Sequence, residues 1–186
     1  MTNSTTDRSR LLTLLRERAL TRESVVLASG KRSSYYVDAR QVLLDPEGAA
    51  LAGTLGYEAL APHTPAAVGG LSLGADPLVC AVSAAAWQDG RRWTGFFVRK
   101  EAKKHGLQNW IEGPFIEEGT PVAVLDDTLT TGGSILDAID KARKAGGEVV
   151  AALVVIDREE GGREAVEAEL NGAPLYALFG ASELLG

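Results

Sequence analysis

The chain has 186 residues, of which 45% are hydrophobic, so it is long enough to bury the core of one domain. Its formal net charge of −6 at pH 7 gives little electrostatic support for binding nucleic acid. One cysteine cannot form an internal disulfide, no leader-like segment opens the chain, and no apolar run reaches the length of a membrane span. We therefore expect a cytoplasmic protein that binds neither nucleic acid nor membrane.

The first 45 residues predict a helix followed by short strands. The polar residues 1–7 are expected to fray, and leucines from Leu11 onward have the spacing of an amphipathic helix. A strand pair is expected around residues 25–38. Asp45 and Pro46 then mark the N-cap and the first turn of a second helix.

Strand and helix alternate through the rest of the chain. Apolar runs predict four strands, near residues 66–70, 93–98, 121–126 and 148–156. Helices are predicted near residues 75–87 and 134–145, the second ending at Gly146 and Gly147. A loop takes the place of a helix after the second strand. This order predicts an α/β fold with a mostly parallel central sheet flanked by helices.

Two adjacent carboxylates, Asp126 and Asp127, follow the apolar run of residues 122–125. Residues 130–134, Thr-Thr-Gly-Gly-Ser, supply hydroxyls and unhindered backbone N–H groups where a helix begins, which is a good place for a phosphate. Two carboxylates beside it can accept hydrogen bonds from vicinal ribose hydroxyls. The pattern predicts a sugar-phosphate site. The alternative is a structural strand–turn–helix in which one aspartate is the N-cap.

Positive charge is concentrated in residues 99–113, against the negative balance of the chain. The charged or titratable side chains here are Arg99, Lys100, Lys103, Lys104 and His105. The segment follows a strand-like run and contains Gly106 and Gly113, so it is predicted to be a long mobile loop of the kind that covers an active site. The alternative is an ordinary solvated helix face.

Two further positions have both a functional and a structural interpretation. Tyr35 and Tyr36 lie in an alternating strand pattern, where one ring could pack inward and the other lie on the surface, or both could border a ligand. Arg158 follows the β-branched run of residues 149–156 and is either a carboxylate-binding guanidinium or a surface arginine in an Asp-Arg-Glu run.

The cysteine and one histidine are predicted to have structural or surface positions. Cys80 lies in the small apolar pattern Leu-Val-Cys-Ala-Val-Ser and is predicted to be a buried structural thiol. His63 is predicted to be a surface loop residue, and the two histidines are too isolated for a zinc site.

Two segments resemble one known family. Residues 122–134 resemble the phosphoribosyl-pyrophosphate (PRPP) signature of type I phosphoribosyltransferases, and residues 96–113 resemble the Arg-Lys-Glu-x-Lys-x-His-Gly loop of orotate phosphoribosyltransferases. Residues 68–77 resemble the family's pyrophosphate loop. The resemblance implies one domain over residues 1–186, with a hood of about residues 1–45, a core of about residues 46–186 and a mobile catalytic loop of about residues 99–113.

The resemblance also implies roles for individual residues. PRPP contacts are expected from Asp126, Asp127, Thr128, Leu129, Thr130, Thr131, Gly132, Gly133 and Ser134, with Arg99, Lys100, Lys103 and His105 around the departing pyrophosphate. Orotate contacts are expected from Tyr35, Tyr36, Thr130 and Arg158. Mg²⁺ is expected to be held mainly by the substrate, with no dedicated protein ligands. Three positions depart from the family pattern: Ala28 and Leu73 replace lysines of many members, and Thr128 replaces an aliphatic residue.

The implied activity is Mg²⁺-dependent transfer of phosphoribosyl from PRPP to orotate, giving orotidine 5′-monophosphate and pyrophosphate in pyrimidine biosynthesis. The catalytic residues would be the acid pair together with the basic side chains of the loop. The resemblance also implies a homodimer with shared active sites. Two alternatives stay open: a phosphoribosyltransferase for another nucleobase, which would not need the orotate-type loop or Arg158, and a non-catalytic PRPP-sensing regulator.

Overall fold

The computed structural model describes residues 4–22, 25–26, 32–101, 110–114 and 116–186. The N-terminal part begins with helix α1 (Ser4–Leu14), which continues into a π-helical turn (Leu15–Ala19). Four short strands and a helical turn follow: β1 (Leu20–Thr21), β2 (Val25–Val26), β3 (Arg32–Ser33), β4 (Tyr36–Val37) and α2 (Arg40–Leu43). β1 pairs antiparallel with β4, and β2 pairs antiparallel with β3.

The prediction that residues 1–7 fray is wrong for residues 4–7, which form the first turns of α1. Contacts outside the helix explain this, since Arg8 donates hydrogen bonds to the Glu183 carboxylate at 2.7 Å and to the Leu178 carbonyl oxygen at 2.9 Å. The predicted apolar face is present, with Leu11 and Leu14 fully buried. Helix α1 is therefore held against the C-terminal part of the chain.

Helix α3 (Pro46–Leu60) begins as the sequence predicts. The Asp45 side chain accepts hydrogen bonds from the backbone N–H of Glu47 at 3.0 Å and of Gly48 at 3.3 Å, and Pro46 occupies the first turn. A short 3-10 helix (Ala61–His63) follows.

The rest of the chain supplies a six-stranded sheet and four helices. In chain order these elements are β5 (Ala67–Leu71), α4 (Asp76–Gln88), β6 (Thr94–Val98), β7 (Ile111–Glu112), β8 (Thr120–Leu129), α5 (Gly133–Lys144), β9 (Gly147–Asp157), α6 (Gly162–Leu170), β10 (Leu175–Gly180) and α7 (Ala181–Leu185). The four predicted strands are β5, β6, β8 and β9, and the two predicted helices are α4 and α5. Gly146 ends α5 with a φ of 103°, as a left-handed C-terminal cap requires.

The sheet has the strand order β10-β9-β8-β5-β6-β7 and is parallel except for the edge strand β7, which pairs antiparallel with β6. Helices α3 and α4 pack on one face and α5 and α6 on the other, because the apolar side chains of each strand alternate between two core clusters. The predicted α/β fold with a mostly parallel sheet flanked by helices is confirmed.

Strands β5 and β8 are where the chain changes direction across the sheet. From β5 it proceeds through α4 to β6 on one side, and from β8 through α5 to β9 on the other. Backbone pairing between β5 and β8 ends at Gly69 and Val124. Beyond this point a Cβ at Gly70 would lie 2.0 Å from the Leu125 carbonyl oxygen, so glycine is needed for the close approach. A crevice opens at such a switch point in open α/β sheets.

Two predictions of side-chain position are wrong. Cys80 is exposed because α4 buries its other face, through Leu78, Val79 and Val82. His63 is half-buried, with Nε2 lying 2.7 Å from the Tyr176 hydroxyl. Within the residues that the structure describes, none of the helices has the length and apolar character needed to cross a bilayer.

Candidate active site

A cleft of about 570 Å³ lies at the carboxyl ends of β5 and β8. The N-terminal part, the turn before α4, the start of the basic segment, the end of β8 and the residue after β9 all contribute to it. Its lining residues are Tyr36, Val37, Asp38, Arg40, Leu71, Ser72, Leu73, Gly74, Lys100, Asp126, Asp127, Thr128, Thr130, Thr131, Ser134 and Arg158. The fold thus brings together predicted site residues from four distant parts of the sequence.

The two carboxylates lie within β8 and not beyond it, because β8 pairs with β9 as far as Leu129 and Asp157. Asp126 is 4% exposed, and its Oδ1 accepts the backbone N–H of Asp127 at 3.0 Å. Burial, reinforced by the charge of Asp127, raises the pKa of Asp126 to about 8. Burial also raises the pKa of Asp127 above its ordinary value. At neutral pH the pair therefore retains a proton and can both donate and accept hydrogen bonds.

The loop after β8 leads directly into the N-terminus of α5. A second cavity of about 330 Å³ is lined by Asp126, Thr128, Leu129, Thr130, Thr131, Gly132, Gly133 and Ser134. Gly132 is the N-cap of α5 and has a φ of 85°, which favours glycine. Because Gly132 caps the helix, the interpretation of an aspartate as a structural N-cap is wrong. The exposed Thr131, Gly133 and Ser134 leave this helix end open to an anion.

The turn between β5 and α4 forms the wall facing the acid pair. The Ser72 backbone N–H donates to the Val98 carbonyl oxygen at 2.9 Å, and the Ser72 hydroxyl donates to Asp76 Oδ1 at 2.9 Å. The peptide bond between Ser72 and Leu73 is cis. A Cβ at Gly74 would lie 3.0 Å from Asp127 Oδ1, so this turn approaches the carboxylates closely.

Arg158 and Tyr36 also line the cleft, and Tyr35 lies against Arg158. The Arg158 side chain is 4% exposed, its Nη2 lies 2.7 Å from Glu160 Oε1, and its guanidinium lies 4.7 Å from the Tyr35 ring centroid. The prediction that Arg158 could be a surface arginine is therefore wrong. Tyr36 is 40% exposed and lines the cleft, whereas Tyr35 is partly buried against the core.

In the described part of the basic segment, Arg99 and Lys100 have different surroundings. Lys100 lines the cleft, and its positive charge acts to lower the pKa of Asp126. Arg99 is turned toward the β7 edge, where its Nη1 lies 2.6 Å from Glu112 Oε1. Lys103, Lys104 and His105 lie outside the described residues.

Asp38 and Arg40 line the cleft and were missed by the sequence analysis. Arg40 Nε lies 2.8 Å from Asp38 Oδ1, and this hydrogen bond holds the pKa of Asp38 below its ordinary value. The usable signal was an acid and a base two residues apart immediately after the strand-like Tyr-Tyr-Val run. The pKa of Asp127 is raised by burial, and the positive charge of Arg40 partly offsets that rise.

The cleft contains oxygen donors of the kind that a magnesium ion would need. Across the described ranges there is no group of three or more His, Cys, Asp or Glu side chains arranged to hold a metal. Asp126 and Asp127 provide the hard oxygen atoms that Mg²⁺ prefers, but two adjacent carboxylates do not form a closed cage.

Comparison with known proteins reveals full-length similarity. The chain is 47% identical to orotate phosphoribosyltransferase of Aquifex aeolicus over 182 residues, covering 96% of this chain and 98% of that protein. It matches a crystal structure of Mycobacterium tuberculosis H37Rv orotate phosphoribosyltransferase with a TM-score of 0.85 and 42% identity, covering 96% of this chain and 98% of the other. A structure of that M. tuberculosis enzyme in complex with PRPP matches with a TM-score of 0.81 and 39% identity, covering 97% and 99%. No protein-family model matches the chain.

Proposed function

The chain belongs to the orotate phosphoribosyltransferase family, and we propose that it transfers phosphoribosyl from PRPP to N1 of orotate, giving orotidine 5′-monophosphate and pyrophosphate. One observation carries the proposal: a single cleft is lined by an acid pair, by the loop at an open helix N-terminus, by a lysine and by a buried arginine. These features match a ribose 5-phosphate, a leaving pyrophosphate and the carboxylate of orotate. We further propose that the reaction belongs to pyrimidine biosynthesis in the cytoplasm.

The ribose phosphate occupies the β8 end of the cleft. The 5′-phosphate accepts hydrogen bonds from backbone N–H groups and hydroxyls of residues 130–134, where the helix dipole of α5 favours negative charge. Asp126 and Asp127 hold the vicinal ribose hydroxyls. Their backbone lies in a buried parallel strand, so the sugar is fixed on a rigid support.

Chemistry takes place at C1′ of the ribose. The bond from C1′ to pyrophosphate breaks and the electron pair leaves with pyrophosphate, while N1 of orotate forms the new bond to C1′ and releases its proton to water or to the leaving pyrophosphate. Positive charge grows on the sugar and negative charge on the leaving group, so the chain acts by positioning and electrostatics without a covalent nucleophile. Lys100 stabilises the leaving pyrophosphate, and we assign the same role to Arg99, Lys103 and His105 of the loop.

Mg²⁺ supplies positive charge to the pyrophosphate when it is bound with PRPP. Asp126 and Asp127 are the side chains that would help to hold the ion, which would be bound mainly by its substrate. Orotate lies against Tyr36 and near Thr130, and its carboxylate pairs with the planar guanidinium of Arg158. Residues 1–45 then act as a hood, because Tyr36, Asp38 and Arg40 border the cleft from this part of the chain.

The base specificity is tested by measuring pyrophosphate release from PRPP with orotate, uracil, adenine or hypoxanthine as acceptor. We expect release with orotate and at least about 100-fold slower release with the other three, because the buried guanidinium has no partner on those bases. Equal or faster release with another base would contradict the assignment. If the protein bound PRPP but released pyrophosphate with none of the bases, the result would favour a non-catalytic PRPP-sensing regulator.

We also propose a homodimer whose interface includes the outer face of α4. Cys80, Ala84 and Trp87 have helical spacing on that face, all three are exposed, and Trp87 is 70% exposed. Leu73, which is 73% exposed, precedes α4 and lines the cleft. An interface on this face would therefore border the active site, as sharing of active sites between subunits requires.

Trp87→Asp is expected to shift the protein from dimer to monomer in sedimentation-velocity measurements, because a charge would be buried in the interface. We expect activity to fall about tenfold or more with the loss of the dimer. Ala165→Asp is the control, since Ala165 is exposed on α6, on the opposite face of the sheet. A Trp87→Asp variant that remained dimeric would exclude this face as the interface.

A further inference from the structure

Lys141 is a buried lysine in the last turn of α5, and it has three partners. Its side chain is 8% exposed, and Nζ lies 2.7 Å from Asp137 Oδ2. The same Nζ donates to the Arg99 carbonyl oxygen at 3.0 Å and lies 4.2 Å from the Trp110 ring centroid. Burial of an ammonium group is costly unless it is paired, so these contacts define where the side chain must lie.

Arg99 begins the basic segment of residues 99–113, and Trp110 lies close to its end. The two residues are hydrogen-bonded to each other. The Arg99 backbone N–H donates to the Trp110 carbonyl oxygen at 2.8 Å. We call Arg99, Lys100 and Trp110 the neck of this segment. Lys141 contacts the neck from both sides, through a backbone oxygen of one end and the aromatic ring of the other.

Lys141 also connects the neck to the phosphate end of the cleft. It lies on α5, whose N-terminus is formed by Gly132 and Gly133, and α5 packs against the sheet through the buried Ile135 and Ile139. Lys100 follows Arg99 in the chain and lines the cleft. A shift of the Arg99 backbone would therefore move Lys100 relative to the acid pair.

We propose that Lys141 is a positioning residue that fixes the neck to α5 and thereby holds the Lys100 ammonium in place in the wall of the cleft. The inference rests on the proposed function, in which Lys100 stabilises the leaving pyrophosphate. Lys141 does not line the cleft and acts through Lys100. Its effect is on the barrier to pyrophosphate departure, because a displaced cation stabilises less of the charge that develops there.

The Lys141→Met variant keeps the apolar stem and removes the ammonium group. We expect kcat/KM for PRPP to fall about 10- to 100-fold, mainly through kcat. Folding should be retained, because the Asp137 side chain is 39% exposed to water and is therefore not left as a buried, unpaired charge. Lys144→Met is the matched control: Lys144 forms the same i,i+4 pair with Asp140 on the same helix, but its side chain is 66% exposed. The control should stay within about twofold of the wild type.

A double-variant cycle separates positioning from a general loss of structure. If Lys141 acts through Lys100, then Lys141→Met combined with Lys100→Ala should be no slower than Lys100→Ala alone. Trp110→Leu removes the ring contact from the other side of the neck and should reproduce the selective loss in kcat. Additive losses, or a Lys141→Met variant with normal kcat, would overturn the proposal. The proposed function fails separately, if wild-type protein does not consume orotate at all.

Discussion

Asp126→Asn is expected to lower kcat/KM for PRPP at least about 100-fold while making the protein more stable at neutral pH. Activity falls because an amide cannot lose a proton: Asp126 can become negatively charged as positive charge grows on the sugar, whereas Asn stays neutral. The fold should tolerate the change, since Asn retains the Oδ1 atom that accepts the Asp127 N–H. The activity is measured with saturating orotate and varied PRPP.

The stability effect has a defined dependence on pH. In the folded protein the pKa of Asp126 is raised from 3.8 to about 8, so the proton is held more tightly than in the unfolded chain. The stabilisation from that proton is fully present below about pH 4 and is lost as pH rises toward 8. Asn does not titrate, so the advantage of the variant should grow across this window and level off above it.

Thermal unfolding of both proteins at several pH values measures the difference. Each unit of pKa shift corresponds to about 1.4 kcal/mol. For a domain of this size, each kcal/mol corresponds to about 2–4 °C in Tm. The control is Asp140→Asn, an exposed carboxylate on α5, which should alter neither activity nor the pH profile. A Tm difference that is constant from pH 4 to pH 8, or full activity of Asp126→Asn, would contradict the assignment.

Arg158→Leu is expected to lower kcat/KM for orotate by about 1,000-fold or more and to leave PRPP affinity within about threefold. The guanidinium is almost fully buried, so a carboxylate paired with it is shielded from water. Leucine fills much of the space, and Glu160, whose side chain is 29% exposed, can remain hydrated after its partner is lost. Initial rates with varied orotate, and calorimetric titration with PRPP, measure the two quantities.

Two comparison variants make the result specific to the base. Arg158→Lys should recover only a small part of the activity, because an ammonium group cannot form the planar paired contact. Arg143→Leu removes an arginine that pairs with Glu169 away from the cleft and should behave as wild type. If kcat/KM fell equally for orotate and for a base that lacks the carboxylate, Arg158 would not be the residue that recognises the carboxylate.

The central part of the fold could be predicted because its strands are buried on both faces. β8 and β9 are continuous apolar runs, which distinguishes them from the surface elements. β7 was missed because it has two residues and gains its conformation by pairing with β6. β10 and α6 were missed as well, although β10 is an apolar run in the sequence; in the fold β10 is an edge strand that is half-exposed along most of its length.

The errors at single residues have physical causes. Cys80 has apolar neighbours in sequence, but the helical period of 3.6 residues turns it away from the face that contains Leu78 and Val82. Asp126 and Asp127 were expected at the carboxyl end of a strand near residues 121–126, whereas pairing with β9 extends β8 to Leu129. Tertiary pairing determined the second outcome, and a local pattern does not contain it.

The candidate site was predictable where a short segment holds the whole signal. The acid pair and the loop at residues 130–134 are consecutive in sequence, and the structure brings both to the cleft wall. Asp38 and Arg40 are positioned by the pairing of β1 with β4. Each of these strands has only two residues, which is too short for an apolar–polar alternation to predict the pairing. The sequence does not reveal the role of Lys141 either, because two of its three partners, the Arg99 carbonyl oxygen and the Trp110 ring, are known only once α5 packs beside the basic segment.

The most direct test of the assigned reaction is the loss of orotate absorbance when PRPP and Mg²⁺ are added to the purified protein, with an Asp126→Asn, Asp127→Asn double variant as control. We predict that the wild type consumes orotate with equimolar release of pyrophosphate and that the double variant does not. Undiminished orotate absorbance with the wild type, together with measurable PRPP binding, would contradict the assignment to orotate.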